Sequence, residues 1–244
     1  MLDVTEPPRS ETNGLLSHAN GLLIRHPLLE GPYFKGLRDG SMTLESFRDS
    51  QAQFYFAVRY FSRPMAALMA RMPTSAMRRS LMHNLAEEHG YEEEDEEESS
   101  RAASFNPVLS HDLTFLTFLQ RIGMDTPAMK QVREGAVVRS FNLSLMGACM
   151  MESTELAFAM LGIIEYAFAD ISALIGKAVV ERGWLAAERL IHYNLHAEID
   201  KRHAAGFFDV LAPAWENGNR PVVEDGLSLG LHLFDQLYQH LASV

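Results

Sequence analysis

Apolar residues recur at helical spacing along nearly the whole chain. In "NGLLSHANGLLIRH" Leu15, His18, Leu22 and Leu23 fall near one face before Pro27, the periodicity of an amphipathic helix. The next periodic stretch opens after Thr43, a side chain suited to capping a helix start. It runs to about Met72, with Pro64 inside it, where the missing N–H predicts a kink. "SAMRRSLMHNLAEEHG" predicts a helix closed by Gly90, and "SHDLTFLTFLQRIG" one running from Ser110 to Gly123. From Thr126 as N-cap, with Pro127 in the first helical position, one helix is predicted to about Met150. Others are predicted near 153–178 and 181–205, then a shorter one in "GFFDVLAPAWENGNRP" and a last from about Glu224 to Leu241. No tight-turn signal separates alternating strands, and no repeat of fixed period occurs. The pattern predicts an all-α, single-domain bundle of about eight helices over residues 1–244.

One segment breaks the periodicity. Glu92 to Glu98 reads EEEDEEE, inside a predicted loop near 89–108. Seven like charges repel in any compact arrangement, so a solvated loop is expected, although it could also draw cations toward a site. The formal net charge is −11 and argues against nonspecific nucleic-acid binding. Cys149, the one cysteine, lies in an apolar run, so no intrachain disulfide can form and a reducing compartment is expected. The first residues lack a basic and then apolar leader, and no stretch of about 18 uninterrupted apolar residues occurs. A soluble, cytoplasmic protein without a membrane span is the expectation.

Four stretches carry candidate chemistry. "HAEIDKRH" puts His196, Asp200 and His203 on one helix face, because a helix turns about 100° per residue. Two imidazoles flanking a carboxylate form half a coordination shell for a transition metal. His192 lies four residues earlier on the same face. "LAFAMLGIIEYAFA" holds one charged residue, Glu165, in a segment apolar all round and therefore buried. A buried carboxylate needs a partner from another helix: a cation, a hydrogen-bond network or a metal. "HNLAEEHG" ends a helix with Glu87 and Glu88, against the helix dipole. His111 stands in the first turn of the following helix. Together these residues describe a site for two metal ions in the core of a helical bundle.

The same stretches resemble the haem-oxygenase-like di-iron oxidases, a group that includes CADD-like and PqqC-like proteins and is related in fold to TenA. "RHPLLEGPYFKGLRDGSMTLESFRDSQAQFYFAVRYFSRPMAAL" resembles that family's opening helices. "NLAEEHG" followed by "SHDLTFLTFLQRIG" resembles its Glu-Glu and His segments, "AMLGIIEYAFADIS" its middle glutamate helix, and "HAEIDKRHA" its His-x3-Asp-x2-His signature. The resemblance implies metal ligands at Glu87, His111, Glu165, His196, Asp200 and His203, with Glu88 and His192 as further candidates. The gap from Glu87 to His111 is longer than the family's usual spacing, which leaves Glu88 or a loop acid open as the ligand. It implies two Fe(II) ions, with Mn the alternative, and an enzyme that uses O2 to oxidise a small molecule, such as an amine or amino acid, by N-oxygenation or C–C cleavage. A homodimer is implied by the same analogy. Tyr33, Tyr55, Phe56 and Tyr60 are candidates to line a substrate pocket. Two other readings stay open: a metal-free relative, either a TenA-like hydrolase with Cys149 as nucleophile or a PqqC-like cofactorless oxidase, and a non-catalytic interaction protein.

Overall fold

In the computed structural model, residues 12–92 and 104–244 are described, and they form ten α-helices. These are α1 (Thr12–Arg25), α2 (Pro32–Asp39), α3 (Leu44–Arg71), α4 (Ser75–Glu88), α5 (His111–Arg121), α6 (Thr126–Gln131), α7 (Ala136–Met151), α8 (Thr154–Glu181), α9 (Ile191–Glu216) and α10 (Arg220–Leu241). The all-α reading holds, with ten helices instead of about eight. The acidic run from residue 93 onward lies outside the described residues.

The core is built around α8. Its most apolar 18-residue window has a mean hydropathy of 1.7, enough by length and composition to cross a membrane, but 78% of that window is buried inside the protein. Helices α9 and α10 flank it, α3 packs on α7 and α5, and α4 lies against α9. Small residues set the α8–α10 approach. A Cβ at Gly226 would stand 2.4 Å from the Leu156 carbonyl oxygen, and one at Gly230 would stand 2.4 Å from Ile163 Cγ2. Only glycine allows these backbones so close.

Several boundaries differ from the sequence pattern, each for a physical reason. Thr43 caps α3 as predicted, its hydroxyl accepting from Ser46 N at 3.1 Å, and α3 continues as one element through Pro64. The helix predicted from Thr126 divides at residues 132–135, and its cap is Asp125, one position earlier, which accepts from Ala128 N at 2.8 Å. The segments predicted as 181–205 and a short successor are instead one 26-residue helix, α9, displaced toward the C-terminus. Gly206 does not end it. A Cβ there would make only an ordinary contact, with Ser80 Cβ at 3.4 Å, and α9 runs on past it, packed against α4. The last helix starts at Arg220, not Glu224.

A two-residue antiparallel pairing, unpredicted by any hairpin signal, joins β1 (Tyr91–Glu92) to β2 (Ser104–Phe105). Gly90 makes it possible, with φ at +88° and its carbonyl accepting from Asn106 N at 2.8 Å. This stitch returns the chain to the end of α4 at once, so α5 starts beside α4 despite the intervening acidic run.

Candidate metal centre

The buried face of α9 carries His192, His196, Asp200 and His203. Their offsets of four, eight and eleven residues keep them in one row along the helix. His196 Nδ1 lies 2.8 Å from Asp200 Oδ1. The other ring nitrogen, Nε2, is buried and has no partner in the protein. From α8, Glu165 Oε2 comes within 3.6 Å of His203 Nδ1, and Asp200 Oδ1 lies 3.8 Å from the same nitrogen. One donor atom from each of Glu165, Asp200 and His203 lies within 4.8 Å of the other two.

Helices α4 and α5 close the other side. Glu88 Oε1 stands 2.9 Å from His111 Nδ1. The contact is too poorly aligned to satisfy that nitrogen as a hydrogen bond. The His111 and His196 rings meet edge to face with centroids 4.3 Å apart. Glu88, His111, Glu165 and His196 share the wall of a cavity of about 50 Å³. Glu165 thus borders both the Asp200–His203 pair and the Glu88–His111–His196 group.

The electrostatics are those of a site short of positive charge. Burial and the neighbouring Asp200 charge push the Glu165 carboxyl up to about 7. Burial likewise raises Asp200 well above the usual carboxylate range. Burial and the nearby His111 drive His196 down to about 3, so it stays neutral. Burial alone would lower His203, but its contacts with Glu165 and Glu87 outweigh that and raise it to about 10. At Glu88 burial acts upward, yet His111 more than offsets it and the carboxyl lies below its ordinary range. Protons on imidazoles are the only cations this cluster contains.

Adjacent residues Glu87 and Glu88 do different things. Glu88 is buried and faces the cavity. Glu87 sits at the rim, where one carboxylate oxygen takes Arg202 and the other takes His203 Nε2, with His83 Nε2 at 3.6 Å. The structure therefore brings Glu88, His111, Glu165, His196, Asp200 and His203 together, and sets Glu87 outside them, holding the back of the His203 ring. His192 is buried beside His196, ring centroids 4.3 Å apart. Its Nδ1 lies 3.0 Å from the Thr114 hydroxyl, which donates its own proton to the His111 carbonyl at 3.0 Å. The hydroxyl can therefore only accept, which places the His192 proton on Nδ1. Burial together with His196 and His111 holds the ring well below its ordinary pKa.

None of the four aromatic pocket candidates lines the cavity. Tyr33 lies in a separate buried network, its hydroxyl 3.0 Å from Ser50 Oγ and accepting from Gln51 Nε2 at 2.6 Å. Tyr55 and Phe56 line a separate pocket of about 310 Å³ with Arg59, and Tyr60 stacks under Arg63. The wall comes instead from Phe54, Ala57, Val58 and Phe61 of the same helix. These positions are spaced i, i+3, i+4, i+7, a stripe visible in the sequence but turned away from Tyr55, Phe56 and Tyr60. Arg202 and Thr114, absent from the sequence reading, have no local signal: each matters only through a residue on another helix.

The donor set fits iron. Three buried carboxylates and three imidazoles supply the oxygen and nitrogen ligands that such ions take, and no thiolate lies among them. Glu165 Oε1, Asp200 Oδ2, His196 Nε2 and His203 Nδ1 are all buried without a hydrogen-bond partner. Buried polar atoms are rarely left this way, and four in one cluster mark a place made for a cation.

A sequence profile described as that of an iron-containing redox enzyme family matches residues 48–234. No curated protein matches the sequence. Among solved structures, a CADD-like protein of unknown function from Nostoc punctiforme superimposes with a TM-score of 0.75 at 15% identity, covering 96% of this chain and 97% of that one. A TenA homologue from Pseudomonas syringae pv. tomato gives 0.69 at 16% identity, covering 95% and 91%. A domain of unknown function with a haem-oxygenase-like fold from Shewanella denitrificans gives 0.65 at 15% identity, covering 93% and 92%. The fold is haem-oxygenase-like, and the chain belongs to the iron-containing redox enzyme family.

Proposed function

We propose that this member of the iron-containing redox enzyme family is an oxidase or oxygenase that uses O2 and two iron ions to oxidise a small molecule. The observation that carries the reading is the buried convergence of Glu88, His111, Glu165, His196, Asp200 and His203, with unpartnered donor atoms in its midst. Asp200, His203 and Glu165 would hold one ion, and Glu88, His111 and His196 the other, with Glu165 beside both. Bound iron would supply the electrons and open positions that O2 activation needs.

The protein's own residues prepare the site. Asp200 Oδ1 fixes the His196 ring at Nδ1 and leaves the unpartnered Oδ2 for an ion. Glu87 holds Nε2 of His203 and leaves Nδ1 turned toward Glu165 and Asp200. Phe54, Phe168 and Phe234 give the cavity an apolar wall. The metal-free hydrolase reading finds no support at Cys149. That thiol is buried on α7, lies outside the cavity wall, and is pushed by burial up to about 12, the opposite of an activated nucleophile.

The test is anaerobic titration of metal-free protein with Fe(II), and with Mn(II) as the alternative. Two irons per chain, lost in His196→Ala and Asp200→Ala, are expected, followed by substrate-triggered O2 uptake from a screen of amines and amino acids. Protein that stays folded and binds no iron would sink the assignment.

A further inference from the structure

We infer that the substrate is one-ended: its polar atoms sit at one end, facing the carboxylate–histidine cluster, and the rest is uninterrupted hydrocarbon or aryl surface. This rests on the proposed centre and adds the substrate class to it. The polar side chains in the cavity wall are Glu88, His111, Glu165 and His196, all members of the cluster. Every other wall position is apolar: Phe54 and Phe61 from α3, Phe141 from α7, Phe168 and Ile164 from α8, and Phe234 from α10, with Ala57 and Val58 completing the α3 stripe. Among the described residues, no lysine, arginine, hydroxyl or amide side chain lines the far side. A second ammonium, carboxylate or hydroxyl on the substrate would be desolvated there without a partner, and an unpaired buried charge is strongly disfavoured. The cluster end has no such difficulty, because cations and carboxylates there can meet an amine, a carboxylate or both groups of an amino acid.

The cavity also indicates where the substrate enters and how bulky it is. About 50 Å³ is well under the roughly 150 Å³ that holds a benzene. A ligand must therefore displace wall side chains, and Val58 and Phe61 are the wall positions on α3 that remain partly exposed. A substrate reaching the cavity past α3 would displace these two.

The experiment compares matched pairs by calorimetry on metal-free and on Mn(II)-loaded protein, with metal content measured alongside. The pairs are hexan-1-ol against hexane-1,6-diol, hexylamine against 1,6-diaminohexane, and hexanoate against adipate. The alcohol pair reads the apolar wall without help from a metal, so it tests the inference even if no metal binds and the proposed centre fails. At least ten-fold tighter binding of the one-ended member is expected in each pair. A Val58→Arg variant, which offers a cation at the partly exposed wall, should gain at least ten-fold for adipate and lose affinity for hexanoate. Two-ended probes binding within three-fold of their partners would overturn the inference. So would a folded Val58→Arg variant with unchanged adipate affinity, or folded protein that binds none of the one-ended probes.

Discussion

Glu88 reaches His111 across the junction of α4 and α5, Oε1 to Nδ1 at 2.9 Å, while its neighbour Glu87 turns outward to Arg202 and His203. Two adjacent acids are about 100° apart on a helix, so only one can enter the cluster. On the proposed function Glu88 would be a metal donor and Glu87 a supporting residue. Glu88→Gln is expected to lower iron affinity by at least ~100-fold, as loss of a ligand would. Glu87→Gln should cost about 10- to 100-fold and keep the stoichiometry, as loss of an outer-shell partner does. Iron content and titration of both variants decide it, and the reverse order would move Glu87 into the cluster.

Metal binding should release protons. In the metal-free protein Glu165 titrates at about 7 and His203 at about 10. Both hold protons through part or all of the neutral range, and a cation requires both deprotonated. The sign follows: affinity rises with pH and weakens as pH falls from 8 to 6. Calorimetry in buffers of different ionisation enthalpy is expected to count at least one proton released per chain near pH 7. Affinity flat across that range would contradict the proposed ligands.

The thiol of Cys149 offers a cleaner separation of readings. It is fully buried on α7 and held up to about 12 by that burial. Thiol reagents at pH 8 should leave the native protein unmodified and react once it is denatured. Cys149→Ala is expected to retain O2-dependent activity, with a stability loss of about 1 kcal/mol from the lost buried atom. Activity abolished in a folded variant would revive the nucleophile.

Packing of α8 on α10 predicts a specific instability. Gly226→Ala would press a methyl to 2.4 Å from the Leu156 backbone oxygen, which no rotamer change can relieve. Overpacking of this kind costs roughly 1–3 kcal/mol. Because α8 also carries Glu165, a lower melting temperature should come with weaker iron binding, whereas an equally destabilising change on α6, which is exposed apart from Met129, should leave iron binding intact.

The sequence by itself determined a great deal. Helical period and the absence of strand alternation fixed an all-α chain, and the His196–Asp200–His203 spacing fixed one face of α9, because a helix alone dictates where offsets of four and seven point. The buried setting of Glu165 was legible from the apolar residues around it, since local composition decides whether a helix can face water. Helix ends were less legible, as Gly206 and Asp125 show: a glycine in mid-helix looks like a terminator when the packing that carries the helix onward is unseen. The tertiary structure alone decided which of Glu87 and Glu88 turns inward, and it alone picked Phe54, Ala57, Val58 and Phe61 over Tyr55 and Phe56 as the wall. Those choices depend on the rotation of α3 and α4 against their partners. That rotation is fixed by packing between segments far apart in the chain, and no local pattern records it.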